Sequence, residues 1–259
     1  MSKGSRNRQA ARDKIARMRA EEARRRRRRV WIAVTAGAVV VIAAVVAISL
    51  AATTHGSGNG SGGTAGRRIA PLSTLGTLKP PPAAGAVGPE GVPVPAAPSL
   101  AGTTKAVTGQ QVDGISCQRN EQTLFHIHAH LAIFVNGAPR QIPAAIGIPG
   151  AKAQNTSSGP FISAGTCFYW LHTHAADGII HIESPVQRTY TLGDFFDEWG
   201  QPLGPHQVGA AAGKVTAIYD GKVYQGNPRD IPLTAHAQIQ LEVGSPLIAP
   251  QPITFPAGL

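Results

Sequence analysis

The sequence predicts a mainly β, β-rich α+β domain: an antiparallel sheet, barrel or sandwich with one short helix, set behind an N-terminal transmembrane helix. Three observations predict it. A 23-residue run without charge stands near the N-terminus, several later stretches alternate apolar and polar residues, and turn dipeptides separate those stretches.

The uncharged run is Val30–Ala52, and about 20 apolar residues suffice to span a bilayer core as a helix. Its rival, a cleaved signal peptide, ordinarily has an apolar run of only about 7–15 residues. Residues 1–29 hold thirteen basic and three acidic side chains, so this segment alone carries the +10 of the whole chain. Arg24–Arg29 directly precede the run, and positive residues stay cytoplasmic. The expected order is therefore a basic cytoplasmic tail at 1–29, a membrane anchor at 30–52, and everything after it outside the cytoplasm. Anionic lipid is the expected partner of the tail. The remaining residues carry 11 basic and 11 acidic groups, so no basic face is available for nucleic acid.

Residues 53–110 read as a linker, Gly/Ser-rich at first and then holding eight prolines between Pro71 and Pro98. The folded domain is expected at 111–250, with 251–259 as a C-terminal tail. Its two cysteines, Cys117 and Cys167, are expected to pair as a disulfide on the oxidising side of the membrane.

Within the domain, Leu124–Val135 gives the longest strand signal. Phe125, Ile127, Ala129, Leu131, Ile133 and Val135 form one apolar face, and His126, His128 and His130 line the other. Asn136-Gly137 is a hairpin turn signal. Residues 143–160 read as loop. Thr191 and Asp194 have capping-box spacing before Phe195, Phe196 and Trp199, which predicts a short helix with aromatic core anchors. Lys214–Tyr224 reads as a hairpin about Asp220-Gly221, and a last strand falls within Pro232–Val243.

The chemistry concentrates in Cys167–Glu183, two β-rich runs joined at Ala175-Ala176-Asp177-Gly178. His172 and His174 share a face. A four-residue turn sets His172 opposite His181; a turn of Asp177-Gly178 alone sets His174 there instead and His172 opposite Glu183. A three-residue loop sends His181 to the other side. Two of these three registers cluster three imidazoles. Rings at i and i+2 stand roughly 6.6–6.8 Å apart at the backbone, and bonds of about 2.0–2.1 Å let them converge on one metal ion. A single sheet histidine is ordinarily just a satisfied core or surface residue. Six of them, His126, His128, His130, His172, His174 and His181, at spacing two on adjoining strands form a candidate copper or zinc ligand set. Glu183 and Asp177 are candidate proton-moving groups.

The patterns His126-Ile-His-Ala-His-Leu-Ala-Ile-Phe-Val-Asn-Gly137, Trp170-Leu-His-Thr-His174, Gly178-Ile-Ile-His-Ile-Glu183 and Thr191-Leu-Gly-Asp-Phe-Phe together resemble a family of membrane-anchored, His-rich extracytoplasmic proteins of bacteria and archaea. The resemblance covers about 111–248; it implies a domain boundary and no activity. The His172, His174 and His181 set is also similar, as geometry rather than as family, to the tri-histidine zinc cradle of carbonic anhydrase. The metallo-β-lactamase and cupin spacings are not met.

Three functions are compatible with these residues: metal capture, delivery or sensing; a three-histidine metalloenzyme with an open position for water or oxygen; and a cell-envelope interaction module that holds no metal.

Overall fold

The computed structural model describes residues 69–103 and 108–259. The basic tail and the expected transmembrane helix at 30–52 lie outside the described residues, among which no helix is long and apolar enough to cross a membrane.

The strands in chain order are β1 (Ile69–Ala70), β2 (Cys117–Gln118), β3 (Phe125–Val135), β4 (Ala138–Arg140), β5 (Lys152–Thr156), β6 (Gly159–Ala164), β7 (Phe168–Tyr169), β8 (Leu171–His172) and β9 (Ile179–Ser184). After these come β10 (Tyr190–Thr191), helix α1 (Leu192–Trp199), β11 (Leu203–Gly204), β12 (Gln207–Val208), β13 (Ala211–Ala212), β14 (Val215–Tyr219), β15 (Lys222–Tyr224), β16 (Pro232–Leu233) and β17 (Ala237–Val243). The main sheet runs β1-β15-β14-β17-β3-β9-β8, with β4 also paired to β3.

The fold is β-rich with one α-helix, but the sheet is mixed rather than antiparallel. β17 pairs with β3 in parallel, Ile239 opposite Leu131 and Leu241 opposite Ile133. Local patterns report hairpins, and a pairing between segments a hundred residues apart leaves no such mark. The two short turns follow sequence closely. Asn136 and Gly137 have φ of 51° and 75°, and Asp220 and Gly221 have 48° and 71°, the paired positive values of a type I′ hairpin.

Ala129, Leu131 and Ile133 from β3 pack in one core with Ile180 and Ile182 from β9, and with Leu192, Phe195, Phe196 and Trp199 from α1. The helix starts as its sequence predicts: Thr191 accepts from the Asp194 amide while the Asp194 carboxylate accepts from the Thr191 amide. Cys117 in β2 and Cys167 just before β7 form a disulfide across 50 residues, and those two strands also pair. Closing a loop of that size contributes on the order of 4 kcal/mol.

Three expectations need correction. Residues 143–160 are not all loop, because Lys152–Thr156 pair with Gly159–Ala164 as an exposed hairpin. The supposed linker does more than span a gap, since Ile69–Ala70 add a strand to the sheet edge. Further on, residues 86–94 fold back through the Gly88–Val92 and Val94–Ala86 hydrogen bonds and bury Val92 completely. Nor is the C-terminal segment a free tail. Gln238 and Gln240 of β17 bond the backbone of Ile253, Gln251 and Ile248, so the polar face of this strand is covered by side-chain-to-backbone pairing.

Two carboxyls sit in this interior. Glu242 accepts from Gln240 and Ile248, and burial lifts its pKa to about 7. Glu198 is fully buried in α1 with no hydrogen-bond partner among the described residues. Burial first, then the nearby Asp194 and Asp113, raises its pKa well above the ordinary 4.5. A carboxyl raised by folding contributes stability that is fully present below its unfolded pKa and is lost as pH climbs toward the folded value. Glu198→Gln should therefore raise the thermal midpoint at pH 8, with the gain shrinking toward pH 5. A gain that is absent, or equal at both pH values, would contradict this.

Candidate functional site

The site is a consequence of how β3, β9 and β8 lie side by side. The β3–β9 register sets His126 opposite Glu183 and His128 opposite His181. The β9–β8 register sets His181 opposite His172, as the four-residue turn requires. His128, His181 and His172 thus form one row across three strands, with Ile180 and Ile182 turned to the core on the other face. Gly178 makes the turn possible: its φ is 88°, and a Cβ there would come within 2.3 Å of the Leu131 carbonyl. Asp177 locks the same turn by accepting from the Ile179 amide.

Two sets of donor atoms result. In the first, His126 Nε2 lies 3.1 Å from His128 Nε2 and 3.0 Å from Glu183 Oε1. His181 Nδ1 lies 3.1 Å from His128 Nε2 and 3.5 Å from that same carboxylate oxygen. His128, His181 and Glu183 are buried, while the His126 side chain is 37% exposed. In the second set, His172 Nε2 and His174 Nε2 stand 3.1 Å apart and His181 brings a ring nitrogen within 4.8 Å of both, the three-histidine group expected from sequence, with Glu121 Oε1 3.5 Å from His174. Glu121, His172 and Glu183 also bring ligand atoms within 4.8 Å of one another.

Backbone carbonyls fix two of these rings. His172 Nδ1 is 2.8 Å from the Tyr169 carbonyl, and His174 Nδ1 is 2.5 Å from the Ile162 carbonyl. A carbonyl only accepts, so each Nδ1 carries the hydrogen and donates it, which leaves each Nε2 of the neutral ring with a lone pair.

Sequence reasoning missed two carboxylates. Glu90, at the tip of the 86–94 fold-back, lies 2.7 Å from His181 Nε2. It is the only acidic residue between Glu22 and Asp113 and is closely flanked by Gly88 and Gly91, but in a Pro/Gly-rich stretch nothing local marks it. Glu121 sits before β3 outside any regular element. Conversely, His130 and Asp177 belong to neither donor set. His130 Nε2 donates to the Asp177 carbonyl at 3.1 Å, and both residues line a separate cavity of about 410 Å³ with Leu131, Ile133 and Phe134. Asp177 accepts from Ile179 through Oδ1, while its Oδ2 is buried with no hydrogen-bond partner among the described residues.

Electrostatics divide the rings. Burial first, then the charge of His181, depresses His128 to about 3. Burial holds His130 at about 4 and, reinforced by His181, keeps His172 and His174 low. Burial alone would lower His181 too, but Glu183 and Glu90 outweigh it and lift that ring to about 9. Asp177 rises to about 7, through burial and then the neighbouring Glu90. The His181 contribution to stability is accordingly full below the ordinary 6.5 and lost as pH rises through about 9.

In the metal-free protein, imidazole NMR should show His181 keeping its second proton to near pH 9 while His128 stays neutral through the physiological range. Glu90→Gln should move the His181 titration downward. A His181 that titrates near 6.5 in both forms would contradict the geometry.

Comparison with family models finds no match to this chain, and comparisons with curated proteins and with solved structures find none either.

Proposed function

We propose that the chain is a membrane-anchored, extracytoplasmic protein that binds a copper or zinc ion through its clustered histidines and serves in metal capture, delivery or sensing. The observation that carries this reading is the first donor set. Of the six separations among the donor atoms of His126, His128, His181 and Glu183, four are 3.0–3.5 Å and all lie within 4.8 Å. Bonds of about 2.0–2.1 Å in tetrahedral geometry put ligand atoms roughly 3.3–3.4 Å apart. Four of the six separations are within a few tenths of an ångström of that spacing.

The donor types suit zinc and copper(II), which favour imidazole with carboxylate over an all-oxygen cage. Glu90 supports the reading from behind. A carboxylate on the far nitrogen of a ligating histidine fixes the ring and raises its basicity. Three imidazoles and a carboxylate close a four-coordinate set, which favours retention of the ion over an open catalytic position. The half-exposed His126 gives the ion its route in and out. Export is supported by the uncharged Val30–Ala52 run behind six arginines, and by a disulfide that suits an oxidising compartment.

The test is metal analysis and chelator competition on the full chain, solubilised in detergent and purified without a histidine tag. The expected outcome is a retained zinc or copper ion, with affinity falling about 10–100-fold in Glu90→Gln and further in His126→Ala/His128→Ala. A wild-type protein that holds no metal in a zinc- or copper-buffered solution would overturn the proposal.

A further inference from the structure

The second donor set is not explained by one ion. His172 and His174 each give their Nδ1 hydrogen to a backbone carbonyl, so two lone pairs face each other across 3.1 Å. Neither nitrogen can donate to the other, and both rings are buried. A cation between the two nitrogens removes the repulsion.

His181 cannot serve this ion as well as the first. Its Nε2 hydrogen goes to Glu90 at 2.7 Å, so the one nitrogen it can offer an ion, after giving up a proton, is Nδ1, which faces His128 and Glu183. Glu183 has no such restriction. One of its oxygens meets His126 and His181, while Oε2 is buried with no hydrogen-bond partner among the described residues. A carboxylate oxygen of Glu183 also lies within 4.8 Å of donor atoms of both Glu121 and His172.

We propose that the cluster holds two metal ions, one on His126, His128 and His181, the other on His172, His174 and Glu121, with the Glu183 carboxylate bridging them. This rests on the metal-binding reading above. It explains why three carboxylates, Glu90, Glu121 and Glu183, converge on five imidazoles in a largely buried site: two divalent ions bring the charge that those carboxylates offset. Carboxylate-bridged pairs typically hold their ions about 3.5–4 Å apart.

The experiment counts zinc per full-length chain by elemental analysis after equilibration in zinc-buffered detergent solution, then repeats the loading with copper(II) and integrates the electron paramagnetic resonance signal. Wild type should hold two zinc ions. The dicopper form should show integrated intensity well below two spins, because a bridging carboxylate couples the ions. His174→Ala should hold one zinc. Glu121→Gln, at a partly exposed position that carries little risk to folding, should weaken the second ion at least tenfold while leaving the first. No bound zinc in wild type would overturn the metal reading itself. One zinc in wild type, unchanged in both variants, would overturn the second ion and leave the first standing. Two zinc ions with a full, uncoupled two-spin copper signal would overturn the bridge.

Discussion

The pairing register of β3 with β9 is the constraint on which the rest of the site depends. Because side chains alternate along a strand, sliding β9 by one residue would turn His181 and Glu183 toward the core and bring Ile180 and Ile182 to the site. That slip is opposed from both sides. It would expose isoleucines now fully buried in the core, and would force a carboxylate and an imidazole into an apolar interior. The hydrophobic pattern therefore fixes the placement of the donors, although no donor takes part in the core. The Asp177-Gly178 turn adds a local stop by closing the hairpin at one length only.

The second requirement is exclusion of water. A row of imidazoles on an open sheet would be solvated, independently titrating and weak in affinity. Here the 86–94 fold-back brings Glu90 onto His181, and the segment before β3 brings Glu121 toward His174. Burial keeps His128, His172 and His174 neutral, while Glu90 and Glu183 supply negative charge beside His181. Imidazoles bind metal in their neutral form, so His128, His172 and His174 are ready to ligate, whereas His181 must release a proton when the ion enters. The same arrangement sets the lone pairs of His172 and His174 against each other and leaves carboxylate oxygens of Glu90 and Glu183 without a hydrogen-bond partner among the described residues.

What was legible in the sequence was what alternates or turns locally. The apolar face of Phe125–Val135, the capping box at Thr191 and the two type I′ turns left short-range marks, and the Cys117–Cys167 bond followed from there being just two cysteines. The register of the central hairpin was narrowed to three options, one of which the structure adopts. Long-range partners were not legible. The parallel β17–β3 pairing and the contact of Glu90 with a histidine 91 positions away depend on tertiary packing, and the proline-rich composition around Glu90 pointed to a spacer instead. His130 shows the limit of periodicity from the other direction. It shares a strand face with His126 and His128, yet it lies opposite Ile179 rather than His181 and bonds a backbone carbonyl.

The central claim is that imidazoles from β3 and β9 surround a metal together with the Glu183 carboxylate. The most direct measurement is zinc-edge X-ray absorption on the zinc-loaded full chain, beside the Glu183→Gln variant. The account predicts two to three imidazole rings per zinc at about 2.0–2.1 Å, with an oxygen shell that changes in the variant. A spectrum dominated by water oxygens, or one that Glu183→Gln leaves unaltered, would contradict it.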